Sequence, residues 1–406
     1  MSWQHKVTLM LIFCLMLVVP APASASEASV ANPTGLFLAA PEVSYLCPSS
    51  LTRRTPGACP EFSPGARQTR LNYVRSHLPN PLPALPVEEL EIPDDAITPY
   101  RFAYVRPLPA AAYRHPEEAA AGLPPVREFL AGDNWLSVMG QVEYEGELWY
   151  QINPGEYLRA SHLAFTNPSR FRGVLLSEQP AYPFGWINRG VRPSAEPGGP
   201  PRGDVLLNRY DTITIYVQEL MGDEMWYMVG PDQWVEQSYT SRVTVAPIPE
   251  GVGPDEKWIE INTYEQTMAA YEGSRMVFAT LVSTGRRDAW TPNGLNRIWY
   301  KTAVAPMQNR RVSLDSPRWY YLESVEWTQY FFRDYAIHAA YWHDVFGFIR
   351  SSGCVNLSIL DAQWLFEWTT PHVPEGSRIA HGAESGPNMG TWVWVHMTGP
   401  FPEDTN

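Results

Sequence analysis

From Tyr100 to about Val245 the sequence repeats itself. Gly146-Glu147-Leu148-Trp149-Tyr150 is followed by Pro154, Tyr157 and Leu158; Asp223-Glu224-Met225-Trp226-Tyr227 is followed by Pro231, Trp234 and Val235. In both copies the Trp-to-Pro spacing is five and the Trp-to-aromatic spacing is eight. The starts echo each other as well, Tyr100-x-Phe102-x-Tyr104-Val105 against Tyr182-x-Phe184-x-Trp186-Ile187. Runs such as Thr212-Ile213-Thr214-Ile215-Tyr216-Val217 and Trp226-Tyr227-Met228-Val229 are rich in β-branched and aromatic residues, which suit a pleated, half-buried surface. Two small β-barrels in tandem satisfy this pattern, with Trp149, Trp226 and Trp234 as the large side chains that fill them. The 39 prolines and 52 aromatic residues of the 406-residue chain agree with compact β modules on Pro-rich connections rather than helical bundles.

The ends of this region are punctuated. Upstream, Pro79, Pro81, Pro83 and Pro86 read as an extended, semi-rigid spacer; downstream, Pro247, Pro249, Gly251, Gly253 and Pro254 mark a boundary. Residues 1–25 hold one lysine (Lys6), an apolar run from Val7 to Val19 and a small-residue exit at Ala23-Ser24-Ala25, which predicts a secretory signal peptide cleaved after Ala25. That run falls short of the about 20 residues a comfortable transmembrane helix needs, so no membrane span is expected after cleavage. Cys14 lies within it without a lipidation context. The expected divisions are 1–25 signal peptide, 26–97 Pro-rich N-terminal segment, 98–170 and 180–247 β modules, 257–398 a further domain and 399–406 a tail. A net charge of −13 over the whole chain excludes nucleic acid as the natural partner.

Of four cysteines, Cys47, Cys59 and Cys354 survive export. Disulfides persist outside the cytoplasm, and Cys47 and Cys59 lie twelve residues apart in a Pro-, Ser- and Thr-rich stretch, so they are expected to pair. Cys354 is then the odd thiol, the one worth reading as reactive. A free thiol is only about 3% ionised at neutral pH, so a cysteine nucleophile needs a base beside it. His338 closes the strand-like run Tyr335-Ala336-Ile337 sixteen residues upstream, and His343-Asp344 offers a rival base. Gly347 and Ser351-Ser352-Gly353 punctuate the interval; Val355-Asn356 and Asp361 follow.

This order of His, Gly, Ser, Gly-Cys and Asp resembles the L,D-transpeptidase catalytic domain of bacterial wall cross-linking enzymes. Ser283-Thr284-Gly285 and Thr291-Pro292-Asn293-Gly294 look like that family's entry motifs, and the resemblance runs from about Lys257 to Met397. The sequence departs from the common pattern at Ala339, where many members have Gly, and at Ser352, where some have a second His. The resemblance implies a mainly β fold: tandem small β-barrels, themselves similar to bacterial Src-homology-3-like modules, then a β-rich catalytic domain with one or two short helices. Strands are expected at Trp258–Ile261, Met276–Val282, Asn296–Lys301, Trp319–Leu322, Tyr335–His338 and Gly390–Met397, with a helix over Asp361–Trp368.

It also implies a chemistry. Cys354 is the expected nucleophile, His338 the general base and acid, and Gly353 the oxyanion-hole backbone. Ser351, Ser352, Asn356, Tyr330 and His343 are the expected substrate contacts. The donor would be a peptidoglycan tetrapeptide cut after its diamino acid with release of D-Ala. The acceptor would be another stem's side-chain amine, giving a 3→3 cross-link. No metal or nucleotide cofactor is called for, and the place of work is extracytoplasmic, secreted or bound to the wall whose growth and shape it serves. Two further readings stay open: a wall peptide hydrolase or L,D-carboxypeptidase, and a non-catalytic wall-binding protein.

Overall fold

The computed structural model describes residues 64–88 and 96–399; the expected signal peptide and the Cys47–Cys59 pair lie outside them. The fold is mainly β. Its C-terminal part is a face-to-face pair of sheets. One is built on β17 (Lys257–Asn262), β18 (Thr267–Glu272) and β19 (Arg275–Leu281), an antiparallel meander. It is extended on the far side by β26 (Trp392–His396), parallel to β17, and by β20 (Gly294–Arg297). Alternation along β17 sends Ile259 and Ile261 to the core between the sheets and Trp258 to a second core on the other face. The predicted strand over 296–301 is two strands, β20 and β21 (Tyr300–Gln308).

The second sheet centres on β22 (Tyr320–Phe332), with β21 along one edge. The opposite edge is shared. Gln329–Phe332 pair antiparallel with β23 (Tyr335–Ala339), which pairs parallel with β24 (Val355–Leu357). Tyr320–Leu322 pair parallel with β5 (Asp133–Val138), which belongs to the first repeat copy. Helix α3 (Ile359–Trp368) closes the core with Ile359, Ala362 and Leu365. Ser358 caps it by accepting from the Asp361 N–H, one of the amides a helix start leaves orphaned. At its other end the buried Lys301 ammonium donates to the Phe366 and Thr369 carbonyls, at 2.5 and 3.0 Å, where the helix carries partial negative charge.

The repeat seen in sequence is a repeat in structure. The first copy runs β6 (Gly140–Tyr144), β7 (Glu147–Asn153), β8 (Glu156–Arg159), a 3-10 turn (Ala160–His162) and β9 (Leu163–Thr166). The second runs β13 (Val217–Met221), β14 (Glu224–Gly230), β15 (Gln233–Glu236), a 3-10 turn (Gln237–Tyr239) and β16 (Thr240–Val243). The ladder shifts register at Gln151/Asn153 in one and Met228/Gly230 in the other. The repeated Pro154 and Pro231 each precede a left-handed residue, Gly155 (φ 73°) and Asp232 (φ 52°), so the same tight turn is made twice. The opening strands β2 (Arg101–Val105) and β11 (Phe184–Ile187) pair with β9 and β16 alike, Phe102↔Thr166 and Phe184↔Val243. Trp149 and Trp234 are fully buried and Trp226 partly so, which makes them packing residues of these modules rather than exposed contacts.

The repeat copies are tied into the C-terminal sheets by hydrogen bonds as well as by the shared sheet. Between the copies, β10 (Val174–Leu176) joins β19, and the Gly173 N–H donates to both Asp361 carboxylate oxygens, at 3.0 and 3.1 Å. Glycine is required there, because a Cβ would sit 2.3 Å from the Ala279 carbonyl oxygen. In the second copy, the Arg242 N–H donates to Glu265 at 3.0 Å and its guanidinium lies 3.3 Å from the same carboxylate. Helix α1 (Pro64–His77) packs Leu71 against Val217, Met228 and Trp234, and Arg75 pairs with Asp232 at 2.9 Å. No helix among the described residues is long and apolar enough to cross a membrane.

At the seam between the first copy and β22 lie two buried carboxyls. Glu323 accepts from Ser137 N–H (2.9 Å) and Asn153 Nδ2 (3.0 Å), and Glu326 from Thr98 Oγ1 (2.8 Å). Burial pushes Glu326 from 4.5 up to about 7, the Thr98 bond offsetting part of the rise. The folded state therefore holds this proton more tightly than the unfolded chain. The stability it contributes is complete below about pH 4.5 and is lost as pH rises to about 7, a difference of roughly 3 kcal/mol. Glu326→Gln keeps the shape without the charge. Urea unfolding should find it more stable than wild type at pH 8, by up to ~3 kcal/mol, and close to wild type at pH 4.5.

Candidate active site

The site is assembled by one parallel strand pair. In the β23–β24 ladder Ile337 faces Val355, His338 faces Asn356 and Ala339 faces Leu357. Opposed residues share a face, so His338 and Asn356 point the same way from neighbouring strands, and Cys354 lies in the turn immediately before β24. His338 is buried, and its Nδ1 lies 3.0 Å from the Ala339 carbonyl oxygen. That contact requires the proton on Nδ1, which leaves the Nε2 lone pair free to accept. Burial drives the imidazole down to about 4, the carbonyl contact pulling weakly the other way. At neutral pH His338 is an uncharged base.

Cys354 is a free cysteine on a partly exposed residue. Sγ lies 3.9 Å from the Asp334 carbonyl oxygen, in the turn between β22 and β23. Burial pushes the thiol up to about 11, with the Asp334 charge adding to the rise and a backbone hydrogen bond to Ala336 opposing it. The resting pair is a neutral thiol and a neutral imidazole. Tyr320, raised to about 12, and Tyr330, also raised, owe their shifts first to burial and next to the charge Cys354 would carry, which places both within its electrostatic reach.

The turn carrying the thiol is held by the motifs singled out in sequence. Ser351 Oγ donates to the Cys354 carbonyl (2.5 Å) and accepts the Gly353 N–H (3.0 Å), so in this structure the serine fixes the turn. Gly353 sits at φ 122°, a region that favours glycine, and a Cβ there would meet the Tyr335 ring at 2.5 Å. The Thr284 carbonyl accepts from Arg350 and Ser351 N–H groups at 3.0 Å, and Thr284 is itself gripped by the Gln266 amide. Thr291 Oγ1 accepts from Gly285 N–H and donates to the Gly353 carbonyl at 2.8 Å. Ser283 exchanges backbone bonds with Asn356.

The other sequence candidates have partners of their own. Asn356 is buried, and its side-chain amide lies 3.0 Å from His343 Nε2. Because Val345 N–H donates to His343 Nδ1, that ring carries its proton on Nε2, and the amide oxygen of Asn356 belongs opposite it. Burial, with the charge of Arg350 next, lowers His343 to about 3. Asp344 does not build a base with it, since its carboxylate accepts from Ser169 (2.5 Å) and Tyr210 (2.8 Å). Ser352 is exposed beside the nucleophile. Asp361 is remote in role, a buried carboxyl raised to about 6 that accepts from Thr280 and Gly173. Sequence reasoning missed Tyr320, Tyr335 and the Asp334 carbonyl, because aromatic and backbone groups carry no motif. Among the described residues no group of three or more His, Cys, Asp or Glu is placed to hold a metal.

Comparison with known proteins bears on this geometry. Residues 256–395 match the L,D-transpeptidase catalytic domain, YkuD. At family level that domain belongs to enzymes of peptidoglycan transpeptidation. None of the curated proteins compared matches the chain. Among solved structures, it is similar to an L,D-transpeptidase from Mycobacterium smegmatis at 19% identity, over 43% of this chain and 66% of that one, with a TM-score of 0.29. It is similar to a cysteine-to-serine mutant of the Enterococcus faecium L,D-transpeptidase at 20% identity, over 35% and 50%, with a TM-score of 0.27. The L,D-transpeptidase 3 of Mycobacterium tuberculosis gives 18% identity, over 43% and 68%, with a TM-score of 0.29. The chain thus spans half to two thirds of the first two structures, and likenesses of this degree carry no argument below.

Two outcomes follow from the resting geometry. Alkylation of Cys354 by iodoacetamide, read by peptide mass spectrometry, should be slower at pH 7 than that of a free cysteine and should keep rising above pH 9. Gly353→Ala should lower turnover about 100-fold or more while leaving circular dichroism unchanged, because only the turn is displaced.

Proposed function

We propose that the chain is an exported cysteine acyltransferase that cross-links peptidoglycan stem peptides through a thioester on Cys354. The observation that supports the reading is the β23–β24 register, which brings the strand of His338 beside the strand that follows Cys354, together with the family match over the same residues. Cys354 Sγ attacks the carbonyl of the diamino acid in a tetrapeptide donor as His338 Nε2 takes the thiol proton. His338 returns that proton to the leaving D-Ala amine, and the C–N bond breaks to leave a thioester. The side-chain amine of a second stem then attacks the thioester, His338 removes its proton, and the thiol is regenerated beside a 3→3 cross-link.

Because thiol and imidazole are both neutral at rest, proton transfer accompanies attack instead of preceding it. The amides of the Gly353–Cys354 turn are aimed at the developing oxyanion, with Gly353 N–H giving up its bond to Ser351. Tyr330 and Ser352 would border the donor, and Asn356 with His343 would hold the floor beneath it.

The test is purified protein with a disaccharide-tetrapeptide, read by mass spectrometry. Wild type should release D-Ala and form the 3→3 dimer. Cys354→Ala should do neither, and His338→Ala should lose about 100- to 10,000-fold in rate. Tripeptide without dimer would make the enzyme an L,D-carboxypeptidase. Absence of any acyl-enzyme in folded wild type would leave a wall-binding protein.

A further inference from the structure

The loops around Cys354 carry a charge opposite to that of the chain. Four segments touch or flank the catalytic turn: 285–293, 309–319, 332–335 and 347–353. Together they contain seven arginines, three aspartates and no lysine or glutamate, a net charge of +4 in a chain of −13.

Contacts bring these segments to the thiol. Arg286 N–H donates to the Ser351 carbonyl at 3.0 Å, and the Ala289 carbonyl oxygen would lie 3.3 Å from a Cβ on Gly353. Arg333 and Asp334 form the turn whose carbonyl meets Sγ, and Arg311 lies 3.8 Å from the Asp334 carboxylate. Arg350 is close enough for its charge to lower His343. The arginine side chains stand in solvent, that of Arg311 86% exposed. The facing acids are few: Asp288 lies 4.0 Å from Arg286, Asp334 partners Arg311, and Asp315 accepts from Ser313. Asp344 acts on His343 but is taken up by Ser169 and Tyr210; His338 and His343 are neutral at neutral pH, and Tyr320 and Tyr330 keep their protons.

We propose that this arginine rim, with Arg311 at its centre, recognises the terminal carboxylate of the donor's leaving residue; the assignment rests on the function proposed above. The attacked carbonyl and that carboxylate are separated by a single residue, about 3.5 Å of extended chain. Cys354 and Arg311 both reach Asp334, the thiol at its backbone carbonyl (3.9 Å) and the guanidinium at its carboxylate (3.8 Å), and both act on Tyr320, which places the guanidinium beside the thiol. Guanidinium matches carboxylate with two parallel N–H donors, which a carboxamide cannot accept in the same charged form. An overall acidic enzyme would repel an anionic donor, and a local basic rim reverses the sign where the donor enters.

The experiment follows acyl-enzyme formation on full-length protein by intact mass, with one tetrapeptide supplied either with its free terminal carboxylate or as the C-terminal carboxamide. Wild type should acylate at least 10-fold faster in kcat/KM with the free acid, and the preference should shrink as salt rises from 20 to 300 mM. Arg311→Gln should lower the free-acid rate about 10-fold, leave the carboxamide rate unchanged, and be rescued in part by Arg311→Lys. Equal rates of wild type on both donors would overturn the proposal while leaving the transpeptidase reading intact. A wild-type preference that survives in Arg311→Gln would overturn the assignment to Arg311. Failure of wild type to acylate with either donor would remove the proposed function and this inference together.

Discussion

Strand β22 is paired along both edges at once, and the rest of the structure depends on that arrangement. Leu322 faces Met307 on one side and Trp135 on the other; Tyr330 faces Tyr300 on one side and Ala336 on the other. One edge is continuous with β21. The other is divided between a strand of the first repeat copy and the strand that carries His338. The base is therefore fixed relative to the repeat module by hydrogen bonds of a single sheet, not by a hinge. Serving these partners bends the strand, with Ser324 at φ 50° and Trp327 at φ 56°. The pairing also buries Glu323 and Glu326 against the module, where each is satisfied by donors from it, including Ser137, Asn153 and Thr98. A seam built from buried carboxyls is costly in charged form, and this is the physical reason Glu326 titrates near neutrality.

What could be read from the chain was whatever is encoded locally. The repeated Trp, Pro and aromatic spacings announced the two meanders because a tight turn and a filled core impose the same residues at the same offsets each time. Helix α3 was legible through its apolar spacing, although it begins at Ile359, two residues before the predicted start, because Ser358 is the cap. Strand β18 was overlooked: Thr267–Glu272 holds two alanines and no alternation, since both its faces are buried. The union of β5 with β22 had no local signature at all. Parallel pairing across 187 residues, Asp133 to Tyr320, is decided by which surfaces meet, and neither strand's sequence names its partner. The continuation of β22 over 323–332, beyond the predicted Trp319–Leu322, was hidden by its glutamates, which look like solvent-facing residues until the module covers them.

The two departures from the common motif lose their force once the contacts are known. At 339 the structure uses the backbone carbonyl, which orients His338 through Nδ1, so Ala serves there as Gly would. At 352 the side chain is exposed and the turn is held instead by Ser351 and Thr291. What the motif specifies is therefore a backbone path: a left-handed Gly353, a hydroxyl at 351 to clasp it, and a partner strand in register.

On that path the Cys354 thiol and the His338 imidazole are both held in their neutral forms at rest. An isolated enclosed thiol resists ionisation, and an enclosed imidazole resists protonation, so neither is charged at rest. Under the proposed function the two charges would be created together, each stabilising the other, when a carbonyl arrives to accept the sulfur's electrons. Until then the thiol is protected from oxidants and electrophiles that act on exposed thiolates.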